Sequence, residues 1–271
     1  MSGTDTGLVA IAAEVLGVDH DRVRIVAGDT ANAPHAPVSG GSTITYSQGN
    51  AVRAAAQDAR EQLLRIGGEE LEIAVEDLEL TDGVIRPLGA PSRGVTVEEI
   101  ARKVTGFGSP YPPVEGHGRT VPVELAPSAA CHLAHVRVDP ESGFVRVLGY
   151  VSVQDVGRAI NPSLCQAQMH GGAAQAIGWA LHEQLEHDED GQLLNGSFVE
   201  YAIPASDSVP PIETVIVEVP APHGPLGAKG IGESAVVPGP AALANAVHDA
   251  TGSRFRELPI TPERVWRALA R

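Results

Sequence analysis

The sequence predicts an α+β chain built as two α/β subdomains packed against each other. Three observations lead there. Helical periodicity recurs in several separate segments. Short alternating runs joined by turn residues stand between them, as hairpins do. Finally, residues 105–127 are rich in Pro and Gly, carry little pattern and read as a linker or surface excursion between two patterned halves. We therefore place a first subdomain at residues 1–120 and a second at 121–271, and 271 residues suffice for both cores.

The elements follow in order. Residues 6–16 set Leu8, Ile11, Ala12, Val15 and Leu16 on one helical face, and Gly17 ends the helix. Residues 23–27 alternate as a short strand, and 28–38 form a loop with two prolines. A long helix is expected from about 45 to 66, stopped by Gly67-Gly68. Short strands follow within 72–86, with Asp82-Gly83 as a hairpin turn. Thr96 caps a helix over 96–104, and Glu99, three residues on, completes a capping box. The second half opens with a hairpin, 131–138 and 144–153, turning at 139–143. Gln154 to Pro162 is a loop, and 162–183 a long helix rich in Ala and Gly. An acidic turn at 188–191 precedes strands at 200–203 and 214–219. Helices at 241–250 and 262–270 complete the chain, the last capped by Thr261 with Pro262 at its first position.

Composition excludes several classes. A net charge of −15 disfavours a nucleic-acid backbone or an anionic membrane as partner. No apolar run reaches the roughly 18 to 20 residues that span a bilayer. No basic, apolar-cored leader is visible, so a cytoplasmic location is expected. Cys131 and Cys165 are the only cysteines, too few for an iron–sulfur cluster or a structural zinc. We expect both to be small buried apolars rather than a disulfide. The histidines lack metal spacing. His182 and His187 are five apart, which turns the second ring about 140° from the first on a helix. His132 and His135 face opposite sides of a strand.

Three segments carry chemistry. Gly227-Ala228-Lys229-Gly230-Ile231-Gly232-Glu233-Ser234 strings small-residue turns together and ends on one carboxylate. Its glycines permit positive φ and close approach to a bulky ligand. We read Glu233 as a catalytic base on a loop that walls a cofactor pocket. A strand-to-helix loop whose Glu offsets a helix dipole is the alternative. Ser39-Gly40-Gly41-Ser42-Thr43, just ahead of a helix, suits an anion seat, or else an ordinary N-cap. Gln168-Met169-His170-Gly171-Gly172 puts two glycines inside a helix, where another helix or a ligand must come close. Gln168 offers the donor and acceptor that suit a heterocycle edge.

Together these pieces resemble the C-terminal molybdopterin-binding region of the xanthine dehydrogenase and aldehyde oxidase family, the molybdenum hydroxylases. The likeness covers nearly the whole chain. Residues 3–18, Ser39-Gly40-Gly41-Ser42 with 48–52, 154–162, 168–172 and 227–233 resemble that family's segments in order. Ser2 stands where the family usually has Gln, and Ala167 and Ala176 where it has Gly. The resemblance implies a fold with the cofactor pocket between the two subdomains. It implies that Glu233 is the base beside the metal. Gly40, Gly41, Ser42, Thr45, Gln168, Gly171, Gly172, Lys229, Gly230 and Gly232 are expected to line the cofactor. No side chain would ligate the metal. The implied cofactor is molybdenum-molybdopterin, as such or as the cytosine dinucleotide. The implied reaction puts water-derived oxygen on an aldehyde or N-heterocycle. Iron–sulfur and FAD subunits and the remaining half of the molybdenum subunit are the implied partners, which makes this chain one half of a split subunit or a truncated frame, inactive in isolation. A non-catalytic cofactor-binding or assembly module of the same fold is the other reading.

Overall fold

The computed structural model describes residues 3–31, 33–90, 92–120 and 124–270; Ser2 and residues 121–123 lie outside them. The chain is α+β and divides into two compact units. One comprises residues 3–126 with 220–230, the other 127–219 with 231–271.

In the first unit, α1 (Thr4–Leu16) packs on α2 (Ile44–Leu71) through Leu8 and the fully buried Ile11. Gly17 ends α1 at φ 64°, and its carbonyl accepts a hydrogen bond from the Gly83 amide at 2.7 Å. The expected glycine stop at 67–68 is corrected. Helix α2 runs through both glycines to Leu71, because Ile85 packs where a Gly67 side chain would stand, 2.7 Å from that Cβ position. Close packing repays the propensity that glycine forfeits in a helix.

Strands β1 (Leu78–Thr81), β2 (Val84–Pro87) and β3 (Val95–Thr96) form an antiparallel sheet. The turn at Asp82 and Gly83 has φ of 53° and 73°, the backbone a two-residue hairpin demands. Leu63, Ile66, Leu71, Leu78, Leu80, Ile85, Ile100 and Val104 make the core. Helix α3 (Val97–Val104) begins with the full capping box between Thr96 and Glu99. Thr96→Ala is expected to lower the unit's unfolding free energy by ~1 kcal/mol, read as an earlier urea midpoint at unchanged slope.

One further expectation for this half is revised and another is narrowed. Residues 23–27 form no strand. Val26 is 70% exposed, and no neighbouring strand among the described residues offers a ladder. Of the two readings of 105–127, linker or surface excursion, the described part fits the excursion, because residues 115–118 lie along α2. The His117 amide donates to Asp58 at 2.9 Å, and Gln62 exchanges two hydrogen bonds with the Glu115 backbone. A Cβ on Gly116 would meet the Ala55 carbonyl oxygen at 2.1 Å, so glycine lets the two backbones touch.

In the second unit, β4 (Ala130–Val138) and β5 (Val145–Asp155) pair antiparallel, with a register shift between His135 and Val136. Strand β6 (Ile212–Val217) joins β5 in parallel. Helices α4 (Pro162–Leu181), α5 (Gly239–Thr251) and α6 (Pro262–Leu269) complete it. Tyr150, Ala173, Ile177, Leu181, Leu243, Val247, Ile260 and Val265 form its core. Asn161 caps α4 by accepting from the Leu164 amide at 3.1 Å, and Thr261 caps α6 the same way from Arg264 at 3.4 Å.

Residues 200–203 form no strand. The Tyr201 amide turns back onto the Ser197 carbonyl at 2.8 Å, and its hydroxyl donates to Glu183 at 2.9 Å. The cysteines also differ from expectation. Cys131 is exposed, because the alternation of β4 sends it outward with Leu133 and His135. Cys165 is half-buried on α4, and burial pushes its thiol above the ordinary value.

Candidate functional site

In the first unit the Ser39–Thr43 stretch is a tight turn. Gly41 and Ser42 both take positive φ, 62° and 57°. The Thr43 amide and hydroxyl both donate to the Gly40 carbonyl, at 3.4 and 2.9 Å. Among the described residues that hydroxyl accepts no capping bond from α2, which removes the ordinary N-cap reading for Thr43. Successive backbone amides in such a turn, ahead of a 28-residue helix, suit an anion. Gly40 and Gly41 are exposed, whereas Ser42 and Thr45 are half-buried.

Residues 221–230 belong to the same unit and are knotted on themselves. The Ala221 amide donates to the Gly227 carbonyl at 2.9 Å, and the Ala228 amide to that of Pro225 at 3.0 Å. Leu226 and Gly227 take φ of 54° and 89°. Pro225 seats on Gly49, whose absent Cβ would lie 2.8 Å from its ring. Asn50 donates to the His223 carbonyl at 2.8 Å, while its own Oδ1 is buried without a partner. Gly230 lies so close to Ser42 that a Cβ there would fall 1.8 Å from the Ser42 carbonyl oxygen. Gly40, Gly41, Ser42, Lys229 and Gly230 are thus gathered in one region of this unit.

From Ile231 onward the segment belongs to the second unit. Gly232 and Glu233 are exposed, and the Glu233 carbonyl accepts from the Val236 amide at 3.0 Å. Helix α5 starts at Gly239, and its first turn carries no acidic residue. Glu233 thus precedes the first turn of that helix rather than lying in it. The next two residues are pinned. Gln154, fully buried at the end of β5, donates from Nε2 to the Ser234 hydroxyl. Ala235 packs on Gly172 of α4, where a Cβ would lie 2.6 Å from the Ala235 backbone.

On α4, Gln168 and Gly172 are four residues apart and so share a face. A Cβ on Gly171 would meet no atom within 4 Å. Ala235 is thus the close neighbour of Gly172, and among the described residues Gly171 has no such neighbour.

A buried polar chain underlies this unit. His132 Nδ1 lies 2.8 Å from the Tyr150 hydroxyl, and its Nε2 2.9 Å from the Ser152 hydroxyl. Burial holds the imidazole below its ordinary value of 6.5 and pushes the Tyr150 phenol upward. Because its folded value is depressed, His132 contributes stability that is full above pH ~6.5 and falls as the pH drops below it, where the unfolded chain takes up the proton first. The urea midpoint is expected to fall between pH 7.5 and 5.5, and to fall less in His132→Asn. His182, also lowered by burial, acts in the same direction in both proteins.

Among the described residues, the one His and carboxylate group compact enough to share an ion is Asp19, His20 and Asp21, all exposed. It lies apart from the segments above. No helix in the described residues is long and apolar enough to cross a membrane.

The comparisons bear on this geometry. Residues 2–210 match the family described as molybdopterin cofactor-binding domain. The chain belongs to that family. It is the molybdopterin-binding region of the xanthine dehydrogenase and aldehyde oxidase type, as its motifs implied. It is 35% identical to the nicotine 6-hydroxylase large subunit of Paenarthrobacter nicotinovorans, over 98% of this chain and 34% of that protein. It is 30% identical to the carbon monoxide dehydrogenase large chain of Afipia carboxidovorans, over 98% of this chain and 33% of that one. Among solved structures, quinoline 2-oxidoreductase from Pseudomonas putida 86 superposes with a TM-score of 0.91 at 33% identity, over 99% of this chain and 35% of that one. The chain spans about a third of the length of these relatives.

Two features of this molybdopterin-binding chain escaped sequence reasoning. The sequence pattern puts Gln154 in a loop, whereas it is the penultimate residue of β5. Its signal was available, because Tyr150, Ser152 and Gln154 continue one face of an alternating run. The pin between Gln154 and Ser234 joins residues 80 apart and leaves no local trace. Gln154 Oε1 remains buried without a partner, as Asn50 Oδ1 does. An unpaired buried acceptor costs roughly 1–3 kcal/mol and calls for a reason.

Proposed function

We propose that this chain is the molybdopterin-holding, base-bearing part of a molybdenum hydroxylase, with Glu233 as the base. The observation that carries it is the 227–235 segment. Gly230 is seated against Ser42, Ser234 and Ala235 are fixed by Gln154 and Gly172, and an exposed carboxylate stands at Glu233 between those fixed points of the chain.

The residues present fit the cofactor. Its anionic groups suit the positive-φ turn at Gly41 and Ser42 and the first turn of α2, with Gly40 and Thr45 alongside and Lys229 and Gly230 adjoining. Its heterocycle suits Gln168 on α4, beside Gly171, where the backbone is bare, and Gly172, on which Ala235 is seated. Gly232, exposed beside Glu233, belongs to the same wall. No protein ligand to the metal is required, since the pterin itself carries the metal. When bound, the cofactor supplies a two-electron acceptor that amino-acid side chains lack. Glu233 takes up the proton released as oxygen from water is delivered to the substrate carbon.

Nicotine and quinoline, in the names of two relatives, are N-heterocycles, which favours that class over an aldehyde. The dinucleotide form of the pterin belongs to the same reading. So do the partners: the remaining part of the molybdenum subunit, and iron–sulfur and flavin subunits to carry the electrons away. Two cysteines cannot ligate such clusters. Each of the two compact units would serve as a subdomain of the cofactor-binding region.

The test is metal and pterin analysis of the chain purified with its partners. Stoichiometric molybdenum and pterin are expected. A chain recovered alone, free of both, would instead support a non-catalytic module of the same fold.

A further inference from the structure

We infer that Gln154 is a positioning residue for Glu233, acting through the Ser234 hydroxyl; this rests on the reading of Glu233 as the base.

Glu233 is exposed, and the course of its backbone bears on where its carboxylate stands. That backbone lies in irregular turns from 232 to 238, with no strand or helix to hold it. Two contacts outside the segment bear on its next residues: Gly172 against Ala235, and Gln154 on Ser234. Gln154 is the firmer anchor. It sits on the central strand of its sheet, paired with Ala130 on one side and Ile216 on the other. The strand end beyond it is tied as well. Asp155 Oδ1 accepts from the Gly157 amide at 2.9 Å and the Val219 amide at 3.2 Å.

The chemistry of the side chain points the same way. Gln154 is wholly buried, and one end of its amide has no partner among the described residues. A hydroxyl can donate or accept, so flipping the amide would only move the unpaired atom to the other end. A Leu or Met would fill the space without that penalty. The polar side chain is explained by what its paired end does, which is to hold the residue after Glu233.

The test uses variants on both sides of the bond: Ser234→Ala, Gln154→Met, the double variant, and Ser234→Thr as rescue. In the cofactor-loaded assembly, each single variant is expected to lose ~10-fold in kcat with KM and molybdenum content unchanged. The double variant should lose no more than either single, because both remove one bond. Ser234→Thr keeps the hydroxyl and should retain most activity. In the chain without cofactor, amide hydrogen exchange should quicken over residues 232–237 in Ser234→Ala, beyond any change elsewhere in the unit. Parental kcat in Ser234→Ala, or additive losses in the double variant, overturns the inference. Glu233→Gln, run alongside, separates the two readings. If it is inactive while Ser234→Ala is normal, only the positioning role fails. If it is fully active, the base reading fails and the positioning role with it.

Discussion

Glu233→Gln is expected to lower kcat by at least ~100-fold in the assembled enzyme, with molybdenum and pterin content intact. Gln is nearly isosteric with Glu and keeps an acceptor oxygen, but it cannot take up a proton near neutral pH. The substitution therefore isolates proton transfer from shape. Glu233 is exposed, and no core packing depends on it, so the variant should fold as the parent does. Loss of metal alongside loss of turnover would recast Glu233 as a cofactor-holding group. Retained turnover would remove it from the chemistry.

Gly230→Ala is expected to destabilise the first unit by roughly 3 kcal/mol, read as a lower urea or thermal midpoint. The added carbon would fall 1.8 Å from the Ser42 carbonyl oxygen and 2.9 Å from the Ser42 Cβ. Neither neighbour is the far end of a flexible side chain. One of two backbone segments must give way, the turn at Gly41 and Ser42 or the knot at 221–230. Both carry proposed cofactor contacts, so pterin occupancy should fall with stability. Gly40→Ala provides the contrast within the same turn. Its Cβ would meet nothing within 4 Å, and a change of a few tenths of a kcal/mol is expected.

Much of the fold was legible because its signals are local. The capping box at Thr96, the Asp82-Gly83 turn, the 139–143 hairpin and the Asn161-Pro162 start of α4 each depend on residues a few positions apart. The errors arose where distant residues decide. Glycines 67 and 68 look like a stop until Ile85 is brought against them. Residues 23–27 alternate like a strand but meet no partner, and 200–203 are claimed by a turn on Ser197. Cys131 reads as a buried apolar by type, yet its place in the alternation of β4 turns it outward.

The site divides along the same line. Gly172 was singled out as a point of close approach, and Ala235 is what approaches it. Periodicity has no means of naming that neighbour, 63 positions along the chain. The composition of the 227–233 loop marked it as unusual. Its division between the units, Gly230 with one and Ser234 with the other, is a property of the folded chain alone.

The 220–230 knot has a practical corollary. It is encoded nearly a hundred residues after the rest of the unit it completes. Severing the polypeptide at residue 126 would leave Gly49 facing an empty slot where Pro225 belongs, and Asn50 without the His223 carbonyl it holds. The amino-terminal part of this unit should consequently emerge from the ribosome unfinished, awaiting a plug that has yet to be synthesised.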